Sequence, residues 1–111
     1  MLRIKGAEIT LTRGDTARIE LAVTKDGRAY DFSDDTVLFT VKRNTETAEI
    51  LIQKESVDGV IAILPADTDG LAYGPYVYDV QLTTAGGDVC TVIPPSPFNL
   101  APEVTWAAAQ S

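Results

Sequence analysis

The feature that most constrains the fold of this chain is an alternation of apolar and polar residues with a period of two. In the clearest run, Val37, Phe39 and Val41 alternate with Thr36, Thr40 and Lys42. Further short apolar runs are rich in β-branched or aromatic residues, and they cover residues 9–11, 19–23, 50–52, 61–63 and 76–82. Runs of this length and composition are typical of half-buried antiparallel strands.

Turn-forming residues separate these runs. Asp26-Gly27 and Gly86-Gly87 supply the positive φ that tight hairpins require. We therefore predict two hairpins, which join residues 21–24 to 28–32 and residues 76–83 to 89–93. Successive strands begin about ten residues apart, a spacing typical of an all-β sandwich or small barrel.

Helical periodicity is absent from the sequence. Residues 65–71 have room for a single helical turn, after which Leu71 is expected to enter the core. Residues 93–97 (IPPSP) are expected to form a bend or an edge, because proline donates no hydrogen bond to a β-ladder. Phe98 and Leu100 are expected to return to the core.

The length of 111 residues corresponds to one domain. We predict a single β-sandwich domain over residues 1–104 and a loose C-terminal tail over residues 105–111. The N-terminal residues lack the apolar segment of a secretory signal, and no apolar run is long enough to cross a membrane.

Composition narrows the function classes. The net charge of −7 disfavours binding to nucleic acid or to an anionic membrane surface. The chain has no histidine and one cysteine, which removes the usual general base and any cysteine-based zinc site. We therefore expect no enzymatic activity, no cofactor, no bound metal and no small-molecule substrate. Cys90 is expected to act as a small buried hydrophobic residue.

Two short motifs resemble functional sites, and turn formation explains both. Arg13-Gly14-Asp15 spells an integrin-recognition tripeptide, but a tight turn with Gly14 at positive φ accounts for it. Asp67-x-Asp69-Gly70 resembles the start of an EF-hand loop, yet its twelfth position is Tyr78 and not an acid. We interpret these acids, together with Asp31, Asp34 and Asp35, as turn residues and not as calcium ligands.

Several segments, in this order, resemble small proteins and domains from bacteriophage and prophage tail regions. They are residues 9–16 (ITLTRGDT), 39–42 (FTVK), 65–68 (PADT) followed by Leu71, 73–82 (YGPYVYDVQL), and 91–96 (TVIPPS) followed by Phe98. The resemblance implies an immunoglobulin-like antiparallel β-sandwich of about seven to eight strands, similar to the N-terminal domain of siphophage upper baseplate proteins.

A second likeness involves the tyrosines. Gly74-x-Tyr76-x-Tyr78 resembles the tyrosine-corner strand of immunoglobulin-like domains, in which a tyrosine hydroxyl bonds to the backbone. The chain departs from antibody domains, because Ala72 replaces an acid, no cysteine pair exists and Trp106 lies in the tail. Tyr76 and Tyr78 are expected to fill the core, whereas Tyr73 is equally compatible with either environment.

The resemblance implies a non-enzymatic structural or assembly module of a phage tail or baseplate. It implies partners that are further copies of this chain or other virion proteins, and a location in the host cytoplasm during assembly and then in the virion. Apolar residues on both faces of two runs, or in the tail, are the predicted partner contacts: Leu51, Val89, Ile93 and Trp106. For Trp106, the alternative interpretation is a residue of a loose tail that contacts no partner. The alternative function is a carbohydrate- or cell-surface-binding module that uses loop aromatics.

Overall fold

The computed structural model describes residues 2–5 and 7–103. Strands dominate the described residues and helix is confined to a single turn, which confirms the all-β prediction. The described strands are β1 (Leu2–Lys5), β2 (Glu8–Thr12), β3 (Ala17–Glu20), β4 (Thr24–Lys25), β5 (Arg28–Ala29), β6 (Thr36–Lys42), β7 (Ile52–Glu55), β8 (Val60–Ile63), β9 (Gly74–Thr83) and β10 (Val89–Ala101). A single helical turn, α1 (Pro65–Thr68), lies between β8 and β9.

The larger sheet is curled and has six strands in the order β1-β2-β10-β9-β6-β7. Two small antiparallel pairs, β3-β8 and β4-β5, complete the described strands. The expectation of a wholly antiparallel fold is wrong at one place, because β2 and β10 run parallel, with Ile9 opposite Phe98. These two strands come from opposite ends of the chain, so no hairpin dictates their relative direction. The sandwich arrangement itself stays a prediction.

The core lies on the inner face of β6 and β9. Tyr76, Tyr78, Val80 and Leu82 are all buried, while the residues between them are not, as their alternation predicts. The rings of Phe39 and Tyr78 lie 5.2 Å apart between centroids, and Phe98 packs edge-on against both. These three aromatic side chains join β6, β9 and β10 through one cluster.

Both predicted hairpins are present. Asp26 and Gly27 have φ of 56° and 78°, and they join β4 to β5 with Lys25 opposite Arg28. Positive φ at both central residues defines the type I′ turn that suits the twist of a hairpin. The loop that contains Gly87, with φ of 96°, joins β9 to β10 and places Val89 opposite Thr83.

The proline-rich part of β10 is irregular, which confirms the predicted bend or edge. The register against β9 shifts between Thr91 and Ile93 and again between Ile93 and Ser96. β10 pairs with β2 only from Phe98 to Ala101, so within the part of the chain that the structure describes the preceding prolines have a neighbouring strand, β9, on one side only. Phe98 and Leu100 are buried, as expected.

Two further elements border the core. The turn α1 forms where one was expected, and Leu71 after it packs half-buried against the core. The strand β1 was not predicted, although Leu2-Arg3-Ile4-Lys5 alternates between apolar and basic residues.

Within the described residues, no helix has the length and apolar character needed to cross a bilayer.

Candidate functional site

Strands β2 and β3 follow each other in the chain but are not hydrogen-bonded to each other. The tight turn through Arg13 and Gly14 joins the end of β2 to the start of β3. A cavity of about 350 Å³ is lined by residues of both strands, including Ile9 of β2 and Ile19 of β3. We call this cavity the apolar cleft. Its lining includes Ile9, Ile19, Leu21, Phe39, Val80 and Ile93. The fold therefore leaves an opening that reaches buried core side chains.

A second cavity, of about 510 Å³, adjoins the apolar cleft and shares Glu20 and Leu21 with it. We call it the acidic cavity. Four carboxylates and two half-buried aromatic side chains line it, namely Glu20, Asp31, Asp35, Asp58, Tyr30 and Phe32. Both cavities fall within the size range of ordinary protein binding sites.

Hydrogen bonds fix the groups of the acidic cavity. The Tyr30 hydroxyl donates to Oδ2 of Asp35 at 2.6 Å. This bond, assisted by burial and by the nearby charges of Asp35, Asp31 and Asp34, raises the pKa of Tyr30. The amide of Ser33 donates to Asp31 at 2.9 Å, and this bond lowers the pKa of Asp31. These pKa shifts favour the ionised form of Asp31 and the neutral form of Tyr30 at neutral pH.

The outer face of the larger sheet carries a third cavity, of about 280 Å³. Polar side chains dominate it, and they include Thr40, Gln53, Asp79 and Gln81. The amide of Gln53 lies 3.2 Å from the Thr40 hydroxyl, in the orientation of a donor. This cavity offers hydrogen-bonding groups on the face opposite the core.

The Arg13-Gly14-Asp15 tripeptide is a structural turn, as predicted, with Gly14 at a φ of 88°. Arg13 donates to Oε2 of Glu103 at 3.1 Å and to the carbonyl of Leu71 at 3.0 Å. Its guanidinium carbon also lies 4.5 Å from the ring centroid of Tyr73, and the Tyr73 hydroxyl donates to Oε1 of Glu103 at 2.6 Å. The arginine is therefore held by internal partners.

The buried tyrosines each carry a backbone hydrogen bond. The Tyr76 hydroxyl donates to the carbonyl of Ala72 at 2.6 Å, a bond of the type that the tyrosine-corner likeness implied. The Tyr78 hydroxyl donates to the carbonyl of Ala7, and burial raises the pKa of Tyr78. Both tyrosines are buried, as expected, whereas Tyr73 is 41% exposed.

Three of the five acids considered as calcium ligands, Asp31, Asp35 and Asp67, have other partners. Asp67 accepts a hydrogen bond from the amide of Leu64 at 2.7 Å and forms an ion pair with Lys54 at 2.9 Å. Asp31 and Asp35 accept the bonds described above. Within the described residues, no three acidic or cysteine side chains are grouped as metal ligands would be.

The predicted partner contacts occupy different environments. Val89 is 63% exposed next to the β9–β10 loop. Leu51 and Ile93 are half-buried and pack against the core, and Ile93 lines the apolar cleft. Trp106 lies outside the described residues. The structure thus brings Ile93 into a cavity but does not group it with Leu51 or Val89.

The expectation of a buried Cys90 is wrong, because this thiol is exposed. Cys90 pairs with Leu82 of β9, and among the described residues β10 gains a second neighbouring strand, β2, only from Phe98 onward. Solvent therefore reaches this end of the strand. The apolar character of residues 89–93 did not predict the exposure of Cys90, because this exposure depends on the position along β10 at which the pairing with β2 begins.

Comparison with protein-family models, with curated proteins and with solved structures finds no significant match to this chain.

Proposed function

We propose that this chain is a non-enzymatic assembly module of a phage or prophage tail or baseplate, which acts through protein–protein contacts. The observation that carries the proposal is the apolar cleft, in which the half-buried Ile19, Leu21 and Ile93 lie over the buried core residues Phe39 and Val80. Apolar surface that a fold leaves open is a common feature of protein–protein interaction sites.

The open edges of the strands support the same proposal. β1 and β7 lie at the two edges of the six-stranded sheet. Unpaired strand edges present backbone donors and acceptors to which another chain can add. Val89 and Ile50 are exposed and add apolar surface. The virion context rests on the resemblance of the ordered segments to tail-region proteins.

The test is static light scattering over a range of concentrations, combined with capture of virion proteins from a phage lysate. The variants are Val89→Asp, Leu51→Asp and Ile93→Asp. Val89 is exposed, so its substitution does not endanger folding, and Thr91→Asp on the same exposed segment is the matched control. We expect self-association or specific capture by the wild type that at least one of the three variants abolishes. A wild type that stays monomeric and captures no virion protein contradicts the proposal.

A carbohydrate-binding module is the second candidate, and the polar cavity on the outer sheet face favours it. Thr40, Gln53 and Asp79 offer groups that hydrogen-bond to sugar hydroxyls. Glycan-array binding that Asp79→Asn weakens, and Asp88→Asn does not, would favour this candidate over assembly.

A further inference from the structure

The strand β3 has a free edge beside the apolar cleft. Within the described residues, β3 pairs only with β8, with Ile19 opposite Ile61. The amide of Leu21 donates to the carbonyl of Gly59 at 2.8 Å, which continues that ladder. Because hydrogen-bonding groups alternate along an antiparallel ladder, the backbone groups of Arg18 and Glu20 point to the opposite side. This side is available to another extended segment.

The apolar cleft lies alongside this free edge. Ile19, Glu20, Leu21 and Ala22 all contribute to its lining. An extended segment that pairs with β3 turns alternate side chains to opposite faces. Every second residue of such a segment would therefore enter the cleft, and small or branched apolar side chains fit its apolar lining.

The acidic cavity favours positive charge on those side chains of the partner segment that do not enter the apolar cleft. Glu20, Asp31 and Asp58 line it without any basic residue among the described residues of that lining. The pKa of Tyr30 is raised first by its hydrogen bond to Asp35, then by burial, and then by the charges of Asp35, Asp31 and Asp34. Lysine or arginine side chains next to the apolar ones would be attracted to this cavity.

We propose that the apolar cleft and the acidic cavity form one docking groove, in which an extended segment of a partner protein with alternating apolar and basic residues pairs with β3. This inference rests on the proposed assembly function and adds the surface and the chemistry of the partner. The net charge of −7 opposes a second copy of this chain as the occupant. The chain's own alternating basic segment, Leu2–Lys5, already pairs with β2. Strand addition of this kind is a common mode of peptide recognition.

The experiment uses the full chain and two short fluorescent peptides, one alternating lysine with valine and the other alternating glutamate with valine. Fluorescence anisotropy measures binding, and amide chemical shifts locate it. We expect the lysine peptide to bind and to shift the amide signals of Arg18 and Glu20, and the glutamate peptide not to bind.

The decisive variant is Glu20→Gln/Asp31→Asn/Asp58→Asn, which removes three charges and keeps the side-chain shapes. The matched control, Glu46→Gln/Glu49→Gln/Asp88→Asn, removes three exposed charges elsewhere. We expect the groove variant to weaken binding of the lysine peptide about tenfold and the control to leave it nearly unchanged. Ala22→Trp, which fills the cleft from an exposed position, tests the apolar contact independently and is also expected to weaken binding.

The groove is refuted if neither peptide binds, if both bind equally, if the control weakens binding as much as the groove variant, or if the shifts fall on β7 in place of β3. Thermal unfolding of each variant verifies that it is folded. Light scattering and lysate capture report separately on the assembly function. Association that persists without peptide binding refutes the groove alone, whereas peptide binding without any association or capture refutes the assembly function.

Discussion

The guanidinium Nε of Arg13 lies 3.1 Å from Oε2 of Glu103, although ninety positions separate the two residues in the chain. The amide of Arg13 also donates to the carbonyl of Ala101 at 2.9 Å. This contact therefore connects the β2–β3 turn to the segment that follows β10. Tyr73 completes it by packing on Arg13 and bonding to Glu103.

We expect Arg13→Ala to lower the melting temperature by several degrees, because it removes the contacts to Glu103, Leu71 and Tyr73 together. Arg13→Lys is expected to recover only part of the loss, since an ammonium group does not reproduce the planar guanidinium fork. The control is Arg18→Ala, at an exposed position of β3, which is expected to change the melting temperature little. Equal effects at both arginines would contradict this structural role.

The same contact predicts a pH dependence. Hydrogen bonds from Tyr73 and then from Arg13 lower the pKa of Glu103 below its ordinary value of 4.5. A group with a lowered pKa in the folded chain stabilises it fully above the unfolded value, and that contribution disappears as the pH falls through the folded pKa. We therefore expect Glu103→Gln to be less stable than wild type at neutral pH and to approach it below pH 4.5. Thermal unfolding across this range measures the difference, with Glu46→Gln as the control. A difference that persists unchanged in acid would exclude the ionised carboxylate as its source.

Phe39 and Thr40 test the register of β6. Phe39 is 1% exposed and packs against Tyr78 and Phe98, so Phe39→Ala is expected to cost about 3–5 kcal/mol of unfolding free energy. Thr40 faces the outer side of the sheet, and Thr40→Ala is expected to cost less than about 1 kcal/mol. Urea denaturation measures both values. A larger loss at Thr40 would place the strand one residue out of register.

Thr68 anchors the β2–β3 turn from α1. Its hydroxyl is fully buried and accepts the amide of Gly14 at 2.9 Å. Thr68→Val keeps the shape but leaves that amide without its partner, which is expected to cost about 1–3 kcal/mol. Thr68→Ser keeps the hydroxyl and serves as the comparison in urea denaturation. If the serine variant is the less stable one, packing of the methyl group and not the hydrogen bond determines the role of Thr68.

Calcium is expected to leave the melting temperature unchanged. The carboxylates of Asp31, Asp35 and Asp67 already accept hydrogen bonds from Ser33, Tyr30 and Leu64, respectively. A calcium loop needs six or more oxygen ligands directed at one point. Differential scanning fluorimetry with calcium and then with a chelator measures the effect. A rise of several degrees that the chelator reverses would show that these acids form a metal site.

Part of the candidate site was predictable and part was not. The apolar lining follows from alternation, because Ile9, Ile19 and Phe39 each occupy an inward position of a recognisable strand. The opening between β2 and β3 was not predictable, since the Arg13-Gly14 turn resembles an ordinary hairpin turn in sequence. Alternation predicts which face of a strand is buried, but it does not predict which strand is its neighbour.

The sequence by itself determined the all-β class, the two hairpins at Asp26-Gly27 and Gly86-Gly87, and the burial of Phe39, Tyr76 and Tyr78. These features depend on period-two alternation and on backbone preferences of glycine and aspartate, which act over a few residues. Only the tertiary structure decided the parallel pairing of β2 with β10, the exposure of Cys90 and the Arg13–Glu103 contact. Each of these depends on segments far apart in the chain, whose meeting is set by the packing of the whole core and not by any local pattern.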